Sequence, residues 1–394
     1  MREVVICSAV RTAIGKFNGS LAPLKGSEIG TVAIKEAVAR AGISPNQIEE
    51  VCMGNVLQAA AGQGPGRQAA LGAGIPIETP AYTLNIICGS GLKAVANSAI
   101  AIGAGYADIM LAGGMESMTN APYALLKARF GYRMNNGTII DTMVNDSLWD
   151  SFNNYHMGMT AENVAAQFNV TRQDQDEFSA LSQQKAGKAI AAGNFKEEIV
   201  PVTIKTKKGD VIFDTDEHVR PNTTVADLAK LRPAFKKDGG TVTAGNASGI
   251  NDGAAALVLM SADKAKELGI KPLAKIIGQG TGGVDPAIMG MGPVPASRKA
   301  MKMAGIESTD EFDLIEANEA FAAQCIAVGR ELKFPGDRLN VSGGAIALGH
   351  PVGCSGARIL VTLLYGLKRT GGKRGLATLC IGGGMGQAVI VEML

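Results

Sequence analysis

The sequence predicts an α/β fold made of two copies of one unit, interrupted by an inserted segment. Three observations carry that prediction. Short apolar runs alternate with stretches of helical spacing in the first and last thirds of the chain. The last third also repeats the first in order: Leu339-Asn340-Val341-Ser342-Gly343 echoes Leu84-Asn85-Ile86-Ile87-Cys88, and Ser355-Gly356 echoes Ser90-Gly91. Leu379-Cys380-Ile381-Gly382-Gly383-Gly384-Met385 likewise echoes Leu111-Ala112-Gly113-Gly114-Met115. Between the copies the composition turns charged and polar. The expected organisation is a first half of residues 1–118 plus 246–270, an insertion over 119–245, and a second half of 271–394.

In order, Val4–Ile6 reads as a strand, and Glu28–Arg40 as a helix with Ser27 as its cap and Gly42 as its stop. Val51–Asn55 is the next strand and Arg67–Leu71 the next helix. The apolar run Tyr82–Ile87 breaks at Gly89-Ser90-Gly91 and resumes with the helical spacing of Leu92, Val95, Ala96, Ala99 and Ile102. Ile109–Ala112 closes the first series. Helical stretches at Thr160–Phe168 and Gln173–Ala192 belong to the insertion, and Ala254–Met260 reads as a buried strand returning to the first half. The second series runs through strand Leu273–Ile277, helix Ala296–Met303 and strand Asp313–Asn318. Such alternation predicts a largely parallel sheet covered by helices, with sites beyond the carboxyl ends of its strands.

A chain of 394 residues, 46% of them hydrophobic, can bury large cores, and its 51 glycines predict many close backbone approaches. A net charge of +2 gives no reason to expect nucleic acid or a membrane surface as partner. The best apolar stretch, Ala94–Ala107, is too short and interrupted to span a bilayer. Met1-Arg2-Glu3 leads straight into a strand, unlike a signal peptide, so the expected location is cytoplasmic. Six cysteines without a C-x-x-C pair predict reduced thiols, with neither a zinc site nor a disulfide framework.

Cys88 sits at the strand-to-helix turn, where unpaired N–H groups and the helix dipole would make its thiolate more available. It is either a nucleophile or a small buried cysteine. The duplication sets the loop Gly349-His350-Pro351 opposite it, making His350 a candidate base. Cys380 ends a strand before Gly382-Gly383-Gly384, a run that serves either as turn or as oxyanion hole. Asn318 also ends its strand, and could orient a water or carbonyl oxygen or cap a helix. His156 lies in the insertion, and the small residues from Ala244 to Ser248 would admit an extended ligand close to the backbone. Neither a phosphate-loop spacing nor a dinucleotide fingerprint is present.

Together, Cys-Gly-Ser-Gly at Cys88, Asn-Glu-Ala-Phe at Asn318, Gly-His-Pro at His350 and Cys-Ile-Gly-Gly-Gly at Cys380 resemble the thiolase family over essentially the full length. That resemblance implies a layered αβαβα core. It implies acetyl-CoA C-acetyltransferase activity: Claisen condensation of two acetyl-CoA to acetoacetyl-CoA and CoA, and the reverse thiolysis. Cys88 would carry the acyl group, His350 would activate it and Cys380 would remove the α-proton. Asn318, through a water, and His350 would hold one thioester oxygen; the N–H groups of Cys88 and Gly382 would hold the other. The insertion resembles the family's CoA-binding loop domain, which places Leu148, His156, Met157, Arg220, Phe235, Ala244 and Ser248 along CoA, with Met289 and Ala320 near the acyl end. Tyr155-His156-Met157-Gly158 looks like the short-chain members. The resemblance further implies no cofactor, CoA being substrate and product, no metal, and a homotetramer. Two positions depart from the family pattern, Cys354 where alanine is usual and Ile86 where a polar residue is usual. A broad-chain degradative 3-ketoacyl-CoA thiolase, a decarboxylating condensing enzyme and a non-catalytic CoA- or lipid-binding module are the alternatives; Cys380 in the base position speaks against the second.

Overall fold

The computed structural model describes residues 2–394. Its first half runs β1 (Val4–Thr12), α1 (Gly26–Ala41), β2 (Glu50–Gly54), α2 (Pro65–Gly72), β3 (Ala81–Leu84), α3 (Ser90–Ala104) and β4 (Ile109–Ser117). The inserted segment supplies α4 (Met157–Gln167) and α5 (Arg172–Ala191), after which β5 (Asn251–Ser261) rejoins the first half. The second half comprises β6 (Ala274–Gly283), α6 (Pro293–Ala304), β7 (Leu314–Ala317), α7 (Ala322–Leu332), α8 (Val352–Thr370), β8 (Arg374–Ile381) and β9 (Met385–Met393).

The strands line up as β7-β8-β9-β6-β1-β5-β4-β2-β3, and the echo seen in the sequence is the symmetry of this row. About the β6–β1 join, β1 matches β6, β5 matches β9, β4 matches β8 and β2 matches β7. The join itself is slight, two antiparallel pairs at Val5–Lys275 and Ile6–Ala274. The sheet is mixed and not largely parallel. Along this row β2–β3, β2–β4 and β7–β8 are parallel, whereas β1, β5, β6 and β9 meet their neighbours in the row antiparallel; off the row, the short Ile199–Val200 pairs parallel with β1. Alternation of strand and helix does not report the returns that reverse direction. In the second half that return is the glycine turn between β8 and β9, where Gly383 and Gly384 have φ of +81° and +82°. In the first half the matching return, from β4 to β5, is residues 118–250. The insertion is thus an enlarged hairpin loop on the same end of the fold as Gly382.

Five layers result, because α3 and α8 pack on each other and on strands of both halves, α1 and α2 cover the first half outside, and α6 covers the second. Helix α8 is buried from Val352 to Leu367, as expected of a helix with sheet on either side. The apolar stretch that ends in α3 is Ile87–Ala104, longer than read from the sequence and by length and composition enough to cross a bilayer; here it is the middle-layer helix. The two middle helices touch through the paired glycines of the echo: a Cβ on Gly91 would stand 2.7 Å from Ala357 N, and one on Gly356 2.4 Å from Leu92 N.

Ser27 does not cap α1. The helix starts two residues earlier, at Gly26, Lys25 is its cap, and the Glu28 carboxylate accepts the Lys25 N–H at 2.7 Å. Ser27 Oγ turns instead to Gln68. Gly42 does end the helix, with φ +70°. The insertion is tied to the core at Arg11, fully buried, whose guanidinium meets Glu198 at 2.5 Å and both carboxylate oxygens of Asp216 at 2.7 and 2.9 Å. Ile199–Val200 pairs with the end of β1, while α4 and α5 lie on α7 of the second half.

Candidate active site

The turn after β3 is fixed by its own polar groups. Asn85 Oδ1 accepts the Ile87 N–H at 2.9 Å, and Ser90 Oγ accepts from Ile86 N at 2.9 Å while donating to Ile87 O at 2.6 Å. These bonds hold Ile87 at φ +47°, a conformation costly for a β-branched residue, and so place Cys88 at the tip. A Cβ on Gly89 would lie 2.3 Å from Ile381 Cδ1, so any larger residue there must displace that side chain. The Cys88 turn therefore presses on the end of β8, just past Cys380. Cys88 and Cys380 are close enough that a Cys88 thiolate would raise the cost of ionising Cys380, and the N–H groups of Gly382 and of Cys88 itself reach the Cys88 sulfur.

Burial pushes the Cys88 thiol up to about 11, against the downward pull of those two N–H groups. The expectation of a readily available thiolate is thus corrected: removal from water outweighs the helix N-terminus. Burial likewise raises Cys380 well above an ordinary thiol, with the neighbouring Cys88 adding to it. It lowers His350 to about 3, helped by the positive charge of Arg358. The resting site is therefore uncharged at its three titratable groups, two thiols and a neutral imidazole.

Asn318, just beyond β7, brings its Nδ2 to 3.4 Å from His350 Nδ1. It is no helix cap, because α7 begins only at Ala322. The histidine loop is held from three sides. Asn251 Oδ1 accepts the His350 N–H at 2.9 Å; Ser355 Oγ lies 2.6 Å from His350 Nδ1; and Glu116 Oε2 accepts the Gly353 N–H at 3.0 Å. Glu116 takes three further donors, Asn55 Nδ2 and the Val56 and Leu57 N–H groups, so one buried carboxylate joins the β2 loop to the histidine loop. Asn251, Ser355 and Glu116 are not among the residues the sequence points to. Ser355 alone left a local trace there, five residues after His350 on the first turn of a helix.

Around Cys380 the structure gathers Met157, Met289, Ala320 and Phe321 into one buried apolar cluster, with Phe235 packed against it. The methyl of Met157 lies over Gly382, 2.7 Å from where a Cβ would be. His156 stacks on Phe235 with ring centroids 4.6 Å apart, and its Nδ1 accepts the Gly158 N–H at the start of α4. Ser248 N donates to Ala320 O at 3.0 Å, and Leu148 packs on the cluster that contains Cys88. Arg220 and Ala244 are exposed and not drawn into either cluster; Gln183 Oε1 holds the Arg220 N–H. A separate cavity of about 450 Å³, between Phe178 of α5 and Arg330 of α7, has Glu319 in its lining but none of Cys88, Asn318, His350 or Cys380. Cys354 is buried, and all six cysteines are free thiols.

Comparison with known proteins bears on the family of the whole chain. The family model described as "Thiolase, N-terminal domain" matches residues 4–263, and "Thiolase, C-terminal domain" matches residues 270–393. The chain is 58% identical over 397 residues to an acetyl-CoA acetyltransferase of Syntrophomonas wolfei, covering 100% of both chains. It is 55% identical to one of Escherichia coli, again covering 100% of each. Among solved structures, the Bacillus anthracis acetyl-CoA acetyltransferase superposes with a TM-score of 0.98 at 46% identity, over 100% of this chain and 99% of that one. Motifs, fold and likeness over the whole length agree: this chain belongs to the thiolase family.

Proposed function

We propose that the chain is an acetyl-CoA C-acetyltransferase, condensing two acetyl-CoA to acetoacetyl-CoA and CoA and running the reverse thiolysis through a Cys88 acyl-enzyme. The observation that carries this reading is the convergence of Cys88, Cys380 and the Gly382 N–H beside a buried apolar cluster, with Asn318 Nδ2 3.4 Å from His350 Nδ1. Since the site rests neutral, each proton needs a destination. In the first half-reaction Cys88 gives its proton to His350 as its sulfur bonds the acetyl carbonyl carbon. The bond from that carbon to the CoA sulfur breaks, and the departing thiolate takes the Cys380 proton. In the second, the Cys380 thiolate removes an α-proton from a new acetyl-CoA, and the carbanion attacks the acetyl-Cys88 carbonyl. The Cys88–acetyl bond breaks and the released sulfur recovers its proton from His350. During that half the imidazolium N–H and Asn318 stabilise the thioester oxygen of the second substrate, while the Cys88 and Gly382 N–H groups receive the oxygen of the acyl-enzyme.

Leu148, the His156–Phe235 stack, Ser248 and Ala244 suit a channel for the pantetheine arm, and exposed Arg220 suits the phosphate or adenine end of CoA. The Met157 methyl over Gly382, with Met289 and Ala320 beside it, favours a short acyl group. The chemistry calls for no cofactor beyond CoA as substrate and product. A homotetramer belongs to the same reading, supported by exposed Tyr123, Leu126, Phe130 and Met134 on the insertion and by Tyr82 on the edge strand β3. A reducing cytoplasm fits six free cysteines. Thiolysis of acetoacetyl-CoA, set beside that of a medium-chain 3-ketoacyl-CoA, tests the activity. Turnover confined to acetoacetyl-CoA and lost in Cys88→Ser is expected; comparable rates on both substrates make it a broad-chain thiolase, and no turnover on either overturns the reading.

A further inference from the structure

His350 is asked to accept a proton from Cys88, so the ring nitrogen facing that task must be bare, and something has to keep it bare. Held near 3 by burial, the ring carries one proton at neutral pH, on either Nδ1 or Nε2. Its Nδ1 lies 2.6 Å from Ser355 Oγ, whereas Nε2 is buried with no partner among the described residues. Ser355 Oγ is also 3.0 Å from Pro351 O, a carbonyl that gathers the N–H groups of Cys354 and Ser355 as well. A carbonyl can only accept. Two arrangements of the hydrogens are open. In one, Nδ1–H donates to Ser355 Oγ and the hydroxyl donates to Pro351 O, so both hydrogens have acceptors. In the other, the hydroxyl donates to Nδ1 and leaves a buried Nε2–H with no protein acceptor. Unpartnered buried N–H groups are rarer and costlier than unpartnered lone pairs.

We infer that Ser355 is a positioning residue that fixes the neutral His350 tautomer, anchoring the proton on Nδ1 so that Nε2 is the base for Cys88. This inference rests on the acyl-transfer reading above. The same arrangement assigns a task to Asn318. Its Nδ2, 3.4 Å from a protonated Nδ1, has nothing there to donate to, and its hydrogens remain for the substrate side. Ser355 itself is fully buried and its hydroxyl bonds His350 and Pro351, so its influence on Cys88 passes through the imidazole. The position is set by the fold: five residues on from His350, in the first turn of α8, its side chain turns back over the loop it follows.

The test is the pH profile of Cys88 alkylation by iodoacetamide in full-length enzyme, followed by peptide mapping, for wild type and for Ser355→Ala, Ser355→Thr and His350→Asn. Without the hydroxyl acceptor the two tautomers approach equal population and the proton on Nδ1 loses its bond. Alkylation near pH 7 should then fall about tenfold, the worth of one hydrogen bond. Near pH 11, where the buried thiol ionises without help, Ser355→Ala should converge on wild type. Ser355→Thr, which keeps the hydroxyl, should restore the neutral-pH rate. The kcat for acetoacetyl-CoA thiolysis should drop with the alkylation rate while KM stays within about twofold, since no CoA contact is removed. A Ser355→Ala profile lowered equally at every pH would show that the hydroxyl merely shapes the loop. A profile identical to wild type, with His350→Asn slowed, would overturn the role of Ser355 and leave His350 as base. His350→Asn alkylated as fast as wild type would overturn the base itself, and this role with it. Should the alanine variant not fold, Ser355→Cys keeps the volume with a poor acceptor and carries the same comparison.

Discussion

Three groups at the site owe their state to burial more than to any neighbour: two thiols held protonated and a histidine held neutral. For His350 this has a consequence for stability. Its folded pKa of about 3 lies below the ordinary 6.5, so on acidification the unfolded chain binds a proton that the folded chain refuses. Stability should fall as pH drops from about 6.5 to about 3, by up to about 1.4 kcal/mol per pH unit from this residue alone. His350→Asn should lack that part of the slope. Urea midpoints at several pH values will show the gap between variant and wild type shifting in the variant's favour toward acid; a pH-independent gap would mean that His350 is not held neutral. The four residues proposed to do the chemistry were legible because each ends a strand or sits in a glycine-marked loop. Their supports were not. Glu116 reaches Gly353 across 237 positions and Asn251 reaches His350 across 99, and no local pattern marks a carboxylate or amide whose partner lies that far along the chain.

Between elements, the decisive contact is the crossing of α3 and α8. Here the echo of Ser90-Gly91 in Ser355-Gly356 has a steric meaning, because each glycine admits the backbone of the opposite helix. Gly91→Ala or Gly356→Ala forces a methyl to within 3 Å of a backbone nitrogen that has no room to yield. Each should cost about 3 kcal/mol, read as a lowered urea midpoint, and should weaken turnover further by shifting the helix that follows Cys88 or the one that follows His350. An alanine variant as stable as wild type would show that the helices can separate. Helix periods were read well from the sequence, with boundaries moved by two or three residues; strand direction was not. The three-glycine turn after β8 and the long return after β4 perform one topological step, yet one is a tight hairpin and the other a folded segment. Only their shared end of the sheet reveals the equivalence.

At the level of the molecule, a duplicated sheet brings two strand-end turns to one place, and the enlarged return of one half closes over the site. The insertion stays put through Arg11, whose three nitrogens meet Glu198 and Asp216 with no solvent exposure. Arg11→Met strands two buried carboxylates and should destabilise by about 3–5 kcal/mol. Limited proteolysis should then cut first within residues 119–245; cleavage spread evenly over the chain would argue that Arg11 stabilises the core without anchoring the insertion. That the chain is duplicated and interrupted was visible in its repeats and composition. How the copies face one another was not, because the two pairs that join β1 to β6 and the glycines that cross in the middle layer leave no periodic mark. The proposed reaction requires Cys88 to become an acyl-enzyme. Mass spectrometry of peptides from wild-type protein, quenched in acid after incubation with acetyl-CoA alone, tests it directly. One acetyl group on the Cys88 peptide, removed by a chase with CoA, is the predicted result; acetyl on Cys380, or on neither cysteine, would contradict it.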